Sequence, residues 1–267
     1  VDEQLTMSTE MLPYDVNYAI YCPPDYHQSN RSYPVVYLLH GFSDDHTGWI
    51  QFGEMKRIVD KAIRTGIIAP MIIVMPDAKT TWYINDFRKN EPYEDMFFQE
   101  FIPYIDRTYR TRAKKEFRGI AGLSMGGYGS LLYSLKHPDV FAACAAFSPG
   151  VFTDEEMRNM PARNYTNWFG KLFKSSGDSN RINQYWHDHS ILYLIEEKNK
   201  EDIGKIRYYI DCGDDDFLFD GNSKLHITLK KKEIGHQYRV RDGTHSWEYW
   251  RTGLADGLEF ISQSFHR

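Results

Sequence analysis

Little in this chain invites a membrane, a nucleic acid or a metal. No apolar run approaches the roughly 18–20 residues that a bilayer span requires. Basic residues do not exceed acidic ones: 32 against 37 give a formal net charge of −5. No basic surface therefore calls for nucleic acid or an anionic membrane. Cysteine is scarce, with only Cys22, Cys144 and Cys212. They stand far apart in apolar, strand-like stretches, without the close pairs of a zinc site, and read as small buried hydrophobes. The clusters "DDH" (44–46) and "HDH" (187–189) lack a companion set at metal-ligand spacing, so no metal is expected. Repeats, low-complexity tracts and flexible linkers are missing. No G-x-x-x-x-G-K-[ST] loop follows a strand, and the glycines do not take the dinucleotide spacing, so no nucleotide cofactor is expected either. Nothing in the residues speaks to oligomeric state.

What is present suits one large α/β domain spanning 1–267. "YPVVYLLH" (33–40) and "MIIVMP" (71–76) are short apolar runs of the kind found in strands buried on both faces. "VNYAIYC" (16–22) alternates like a half-buried antiparallel strand. Between them "GEMKRIVDKAIRTG" (53–66) places Met55, Ile58, Val59, Ala62 and Ile63 on one helical stripe. "YEDMFFQEFIPYIDRTY" (93–109) repeats that pattern, with Pro103 predicting a kink. Strands follow at "FRGIAGLS", "FAACAAFS" (141–148), "IRYYIDC" (206–212) and "QYRV" (237–240), with helices after the first, near 222–235 and from about 247. The stretch 150–205 reads as a long, irregular, lid-like insertion. Strands alternating with helices predict a mainly parallel, twisted sheet covered on both faces. Such sheets hold ligands at the carboxyl ends of their strands. The first residue is Val1; a removed signal peptide, and so a secreted or periplasmic protein, is the expectation, with a cytoplasmic one as the alternative.

The most informative eight residues are "GLSMGGYG" (122–129), between a strand-like and a helix-like flank. Gly122, Ser124 and Gly126 spell G-x-S-x-G, the elbow that lifts a serine hydroxyl onto a sharp corner between strand and helix. The bland alternative is a glycine-rich turn with a capping serine. In the elbow, the Met125 amide at the helix start faces the developing oxyanion. A serine needs a base, and the base an orienting acid, in the chain order Ser, acid, His. Of the late histidines, His226 falls mid-helix, His236 precedes a strand and His266 is terminal. His245, in "RDGTHSWEYW" at a strand's carboxyl end, is the expected base. The acid comes from "DCGDDDFLFDGN", with Asp216 expected and Asp215 as runner-up. The second oxyanion donor is expected at Phe42, in the "HGF" turn, with His40 pinning that loop.

Taken in order, "LLHGFSDDHTGW", "EFIPYIDRTYRT", "GLSMGGYGSL", "DCGDDDFLFDGN" and "GTHSWEYWR" resemble the esterase D group of α/β-hydrolases, nearest the feruloyl and acetyl xylan esterases. The resemblance spans about residues 14–264. It implies an α/β-hydrolase fold, Ser124 as nucleophile, His245 as base and an aspartate in the Gly213–Asp216 turn. Trp49 and Trp247 also match the group's pattern. Expected substrate contacts are Trp49, Trp82, Tyr83, Trp168 and Trp247, since aromatic walls suit a phenolic acyl group or a sugar face. The implied function is hydrolysis of feruloyl or acetyl esters on plant cell-wall polysaccharide such as xylan. The alternatives are an S-formylglutathione hydrolase or broad short-chain carboxylesterase, and a non-catalytic carbohydrate-binding protein on the same fold.

Overall fold

A computed structural model describes residues 1–173 and 180–265 of the chain. His266 and residues 174–179 of the insertion lie outside the described residues. Eight strands form one sheet: β1 (Asp2–Met7), β2 (Val16–Tyr21), β3 (Val35–Leu39), β4 (Ile72–Pro76), β5 (Arg118–Leu123), β6 (Ala143–Phe147), β7 (Arg207–Gly213) and β8 (His236–Arg241). Their spatial order is β1-β2-β4-β3-β5-β6-β7-β8. β1 pairs with β2, and β2 with β4, antiparallel; every pairing from β4 through β8 is parallel.

Why the central strands read as unbroken apolar runs is plain from their two faces. Val35, Tyr37 and Leu39 enter one core, while Val36 and Leu38 enter the other. Successive side chains of a strand point to opposite sides, so burial of both leaves no polar position. The helices Met55–Arg64 and Trp247–Ser262 cover the second face through Val59, Ala62, Leu254 and Leu258. The helices Met125–Lys136 and Phe219–Lys231 cover the first through Leu131, Leu132, Leu225 and Leu229.

Three features differ from the sequence reading, and a fourth adds detail to it. β2 is not half-buried: only Asn17 is exposed, because the strand is paired on both edges and packed over. β1, which the alternation alone did not mark, is an edge strand with Asp2, Gln4 and Thr6 exposed. At Pro103, where the sequence predicts a kink, a π-helical turn at Phe97–Phe101 widens the chain just before the helix continues over Ile102–Thr108. Such a turn relieves the clash of the proline ring with the preceding turn of backbone. The insertion is not irregular: it carries the helices Asp154–Asn159, Ala162–Phe169, Gln184–His187, Ile191–Glu197 and Lys200–Ile203. Thr153 and Glu156 form a reciprocal capping box on the first, and Asn183, Ser190 and Asn199 cap the last three.

A buried ion pair ties the last two strands to the last helix. Asp211 of β7 is fully buried and accepts from Arg241 of β8 at 3.1 Å and 3.2 Å, from Tyr209 at 3.1 Å, and from the Tyr249 hydroxyl. Arg241 reaches on to Thr252 at 2.7 Å. The loop that holds residue 245 is thereby anchored at both ends. Arg241→Met would leave the Asp211 carboxylate buried without its cation, at about 3–5 kcal/mol. Thermal denaturation should show the melting temperature falling by roughly 10 °C; an unchanged midpoint would mean that the pair contributes nothing.

Candidate active site

Ser124 follows β5 directly and opens the helix Met125–Lys136, at φ 53° and ψ −116°. Few non-glycine residues adopt a positive φ. The corner closes because its flanks have no side chains. A Cβ on Gly122 would come 2.4 Å from the Gly126 carbonyl oxygen, and one on Gly126 would come 2.4 Å from the Leu39 oxygen. The Ser124 amide donates to Phe147 of β6 at 2.9 Å, and its carbonyl accepts from Tyr128 and Gly150 at 2.9 Å and 3.0 Å.

The structure brings His245 and Asp216 to that serine. The Ser124 hydroxyl lies 2.9 Å from His245 Nε2, and His245 Nδ1 lies 2.8 Å and 3.0 Å from the two Asp216 oxygens. Asp216 is 4% exposed, whereas Asp214 and Asp215 point outward. The turn is held by Asp214 N to Arg241 O and Asp215 N to Gly243 O, both 3.1 Å. Those bonds dock the acid's loop onto the loop that carries the histidine. Burial pushes the Asp216 carboxyl up. Hydrogen bonding to His245, its nearby charge, the Leu218 amide and the Ser148 hydroxyl outweigh that and hold it below the usual carboxylate range. The carboxylate therefore stays ionised at neutral pH and accepts the imidazole Nδ1–H, which leaves Nε2 free to take a proton from Ser124.

Met125 follows Ser124 directly, and Phe42 lines the cleft over that serine. Met125 is the first helical residue, so its amide has no intrahelical acceptor and lies at the positive end of the helix dipole. Phe42 sits in the turn after β3, where the backbone runs close to Ser124: a Cβ on Gly41 would be 3.7 Å from Ser124 Cβ. His40 fastens this turn. The Ala78 amide donates to its Nε2 at 2.9 Å, so Nδ1 carries the proton and donates to the Gly41 carbonyl at 2.8 Å.

A cleft of about 330 Å³ opens over Ser124 and His245. Trp82, Trp168 and Trp247 line it, joined by Phe42, Phe152, Phe217 and Trp250. Trp49 and Tyr83 do not reach it. Trp49 is 1% exposed, donates to the Leu39 carbonyl at 2.9 Å and backs the Trp247 ring at 5.3 Å. Tyr83 is fully buried against Gly129 and donates to the His40 carbonyl at 3.1 Å. Both are packing residues that support the oxyanion turn and the cleft wall. The sequence reading passed over Phe217 and Trp250, which sandwich the His245 ring at 4.6 Å and 4.8 Å. Trp250 falls three residues after Trp247, hence on the same helix face, and that spacing was its available signal. Ser148, which receives the Trp250 indole N–H at 3.1 Å, carried none. The "HDH" residues are otherwise engaged: His187 lies 3.3 Å from Asp154, and His189 bonds the Tyr185 carbonyl at 2.7 Å.

The arrangement is one that can carry out acyl transfer. Residues 8–261 match the esterase family, described as "Putative esterase". An acetyl esterase of Caldicellulosiruptor saccharolyticus is 30% identical over 235 residues, covering 86% of this chain and 83% of that protein. An endo-1,4-beta-xylanase/feruloyl esterase of Xylanibacter ruminicola is 35% identical over 153 residues, which is 55% of this chain and 20% of that protein. The solved structure of a ferulic acid esterase superposes with a TM-score of 0.83 at 31% identity, over 97% of this chain and 96% of that one. The chain belongs to the esterase family, with the α/β-hydrolase fold, and is a serine hydrolase of carboxylic esters.

Proposed function

We propose that this esterase cleaves feruloyl or acetyl esters carried on plant cell-wall polysaccharide such as xylan, through a Ser124–His245–Asp216 triad. The observation that carries the mechanism is the imidazole of His245, hydrogen-bonded to the hydroxyl on one side and to a buried carboxylate on the other. His245 Nε2 takes the Ser124 proton as Oγ attacks the ester carbonyl, and the carbonyl π pair moves onto oxygen. The Phe42 and Met125 amides receive that oxyanion, each donor being worth about 3–4 kcal/mol in such sites. Asp216 holds the imidazole in the tautomer that can accept at Nε2 and stabilises the imidazolium. As the carbonyl re-forms, the C–O bond to the alcohol breaks and His245 protonates the leaving oxygen. Water then attacks the acyl-serine with His245 as base again, and carboxylate and Ser124 are released.

Substrate class rests on the cleft and on the relatives. A cleft of about 330 Å³ walled by seven aromatic residues fits a flat phenolic acyl group and leaves an acetyl group room to spare. The Caldicellulosiruptor relative is named for acetyl esters and the Xylanibacter relative for xylan and feruloyl esters. A polymer of that kind is met outside the cytoplasm, and the reading places the enzyme there.

Steady-state kinetics on p-nitrophenyl acetate tests the triad. Ser124→Ala is expected to lower kcat about a millionfold and Asp216→Asn about 10⁴-fold, while Asp215→Asn leaves kcat essentially unchanged. Equal losses for the two aspartate variants would reject Asp216 as the acid. A side-by-side panel of methyl ferulate, feruloylated arabinoxylan, acetylated xylan and S-formylglutathione tests the substrate. Release of ferulate or acetate from the polysaccharides is expected to exceed thioester cleavage in kcat/KM, and the reverse ranking would overturn the assignment.

A further inference from the structure

Trp82 stands between the catalytic cleft and a second space behind it. It lines the cleft with Ser124, and it also lines a small second cavity with Tyr128, Val151, Phe152, Phe169 and Ile191. That cavity has free room of about 10 Å³, no more than one water. Its walls are almost wholly apolar, so they would welcome an alkyl chain rather than an ion or a sugar.

The indole sits there under constraint. Trp82 has φ 53°, a left-handed value that costs a bulky residue backbone energy. Its benzo edge covers Gly150, where a Cβ would come 2.7 Å from Cζ3. Gly150 in turn donates its amide to the Ser124 carbonyl at 3.0 Å, so the ring is seated one residue contact from the nucleophile. Phe169 at 4.7 Å and Tyr128 at 5.4 Å hold the ring from behind. Its N–H is buried without a hydrogen-bond partner, which is a further cost that a phenylalanine would not incur. Packing alone selects against a strained residue with an unmet donor. What the position does supply is a broad flat wall.

The direction of that wall follows from the chemistry. A leaving alcohol that takes its proton from His245 Nε2 would depart on the side of Phe217 and Trp250, whose rings lie 4.6 Å and 4.8 Å from the imidazole. An acyl chain running the other way would meet Phe42 and Trp82, whose rings are 6.2 Å apart.

We propose that Trp82 is the specificity-determining partition of this esterase: it ends the acyl side of the cleft, excludes linear acyl chains of medium length, and hides behind it a latent site for them. The proposal rests on Ser124 being the nucleophile. An acetyl group stops short of the indole, and a flat aromatic acyl group lies along it. An octanoyl chain meets its face. Removing the ring joins cleft and cavity into one apolar tunnel.

The test is the ratio of kcat/KM for p-nitrophenyl octanoate to that for p-nitrophenyl acetate in wild type, Trp82→Phe and Trp82→Ala. Apolar pockets discriminate by about tenfold or more per added group. Wild type is expected to favour acetate by at least about tenfold. The ratio should rise stepwise as the side chain shrinks, by about tenfold or more in Trp82→Ala. Because the alanine variant loses packing, labelling by a fluorophosphonate counts the competent sites. If it does not fold, the Trp82→Phe ratio decides. A flat ratio across variants that still label, or a wild type that prefers octanoate, overturns the partition and leaves the esterase mechanism standing. A wild type that labels but cleaves no ester overturns both.

Discussion

One imidazole has to bridge two groups that the chain delivers on different strands, and most of the architecture around the rim follows from that demand. Ser124 arrives at the end of β5, Asp216 after β7, and His245 after β8. The hydrogen-bonding reach is short on both sides, 2.9 Å to the hydroxyl and 2.8 Å to the carboxylate. A displacement of one ångström on either side would break one link, so the loops must be located to better than that. The parallel register achieves it: Gly213 pairs with Arg241, which starts both loops from the same level of the sheet. Backbone bonds from the acid's turn to residues 241 and 243 then continue the pairing beyond the last strand residue.

Several residues at this rim are held in conformations that an ordinary loop would relax. Ser124, Ser148 and Trp82 all have positive φ, and Asp216 is a buried carboxylate. Each is restrained by neighbours that do little else. Ser148 donates its amide to Asp211 at 2.6 Å and receives the Trp250 indole. Asp211 is itself locked by Arg241, Tyr209 and Tyr249. The chain of contacts runs from the deep sheet to the surface loop, which is how a close-packed interior carries the strain that a reactive geometry stores.

How much of this could be read from residues alone depended on whether the signal was local. The elbow was legible because steric need writes itself as glycine: no Cβ fits at Gly122 or Gly126. His245 was reachable by elimination, since His226 is in a helix and His236 starts a strand. Which aspartate lies under the histidine was not local. Asp215 and Asp216 differ only in which way the turn faces, and that is decided by backbone bonds to Arg241 and Gly243 across the gap. The aromatic residues were the hardest. Trp49 and Trp82 look alike in sequence, yet one is a strut behind Trp247 and the other a wall of the cleft. Tertiary contacts settle that choice, and composition carries no trace of them. The insertion failed for another reason: its helices are short, and their caps rather than any long apolar stripe specify them.

The allocation of side chains divides the site into two kinds of part. Ser124, Asp216 and His245 sit at strand ends or on loops bonded directly to the sheet, where position is set by backbone pairing. Some of the rings that line the cleft come from segments farther along the chain from a strand end. Trp82 follows β4, and Phe152 and Trp168 lie between β6 and β7 in the insertion. Phe217 is 63% exposed on the rim. Rings offer area and a flat face without demanding a fixed hydrogen-bond partner, so they tolerate a looser scaffold than the triad does. On the proposed reading, reaction type is built into the sheet, while acyl preference is set in part by segments laid on top of it. On that reading a change at Trp82 or Trp168 would alter which ester is taken without disturbing how it is cut, whereas a change at Gly122 or Asp216 would reach the reaction itself.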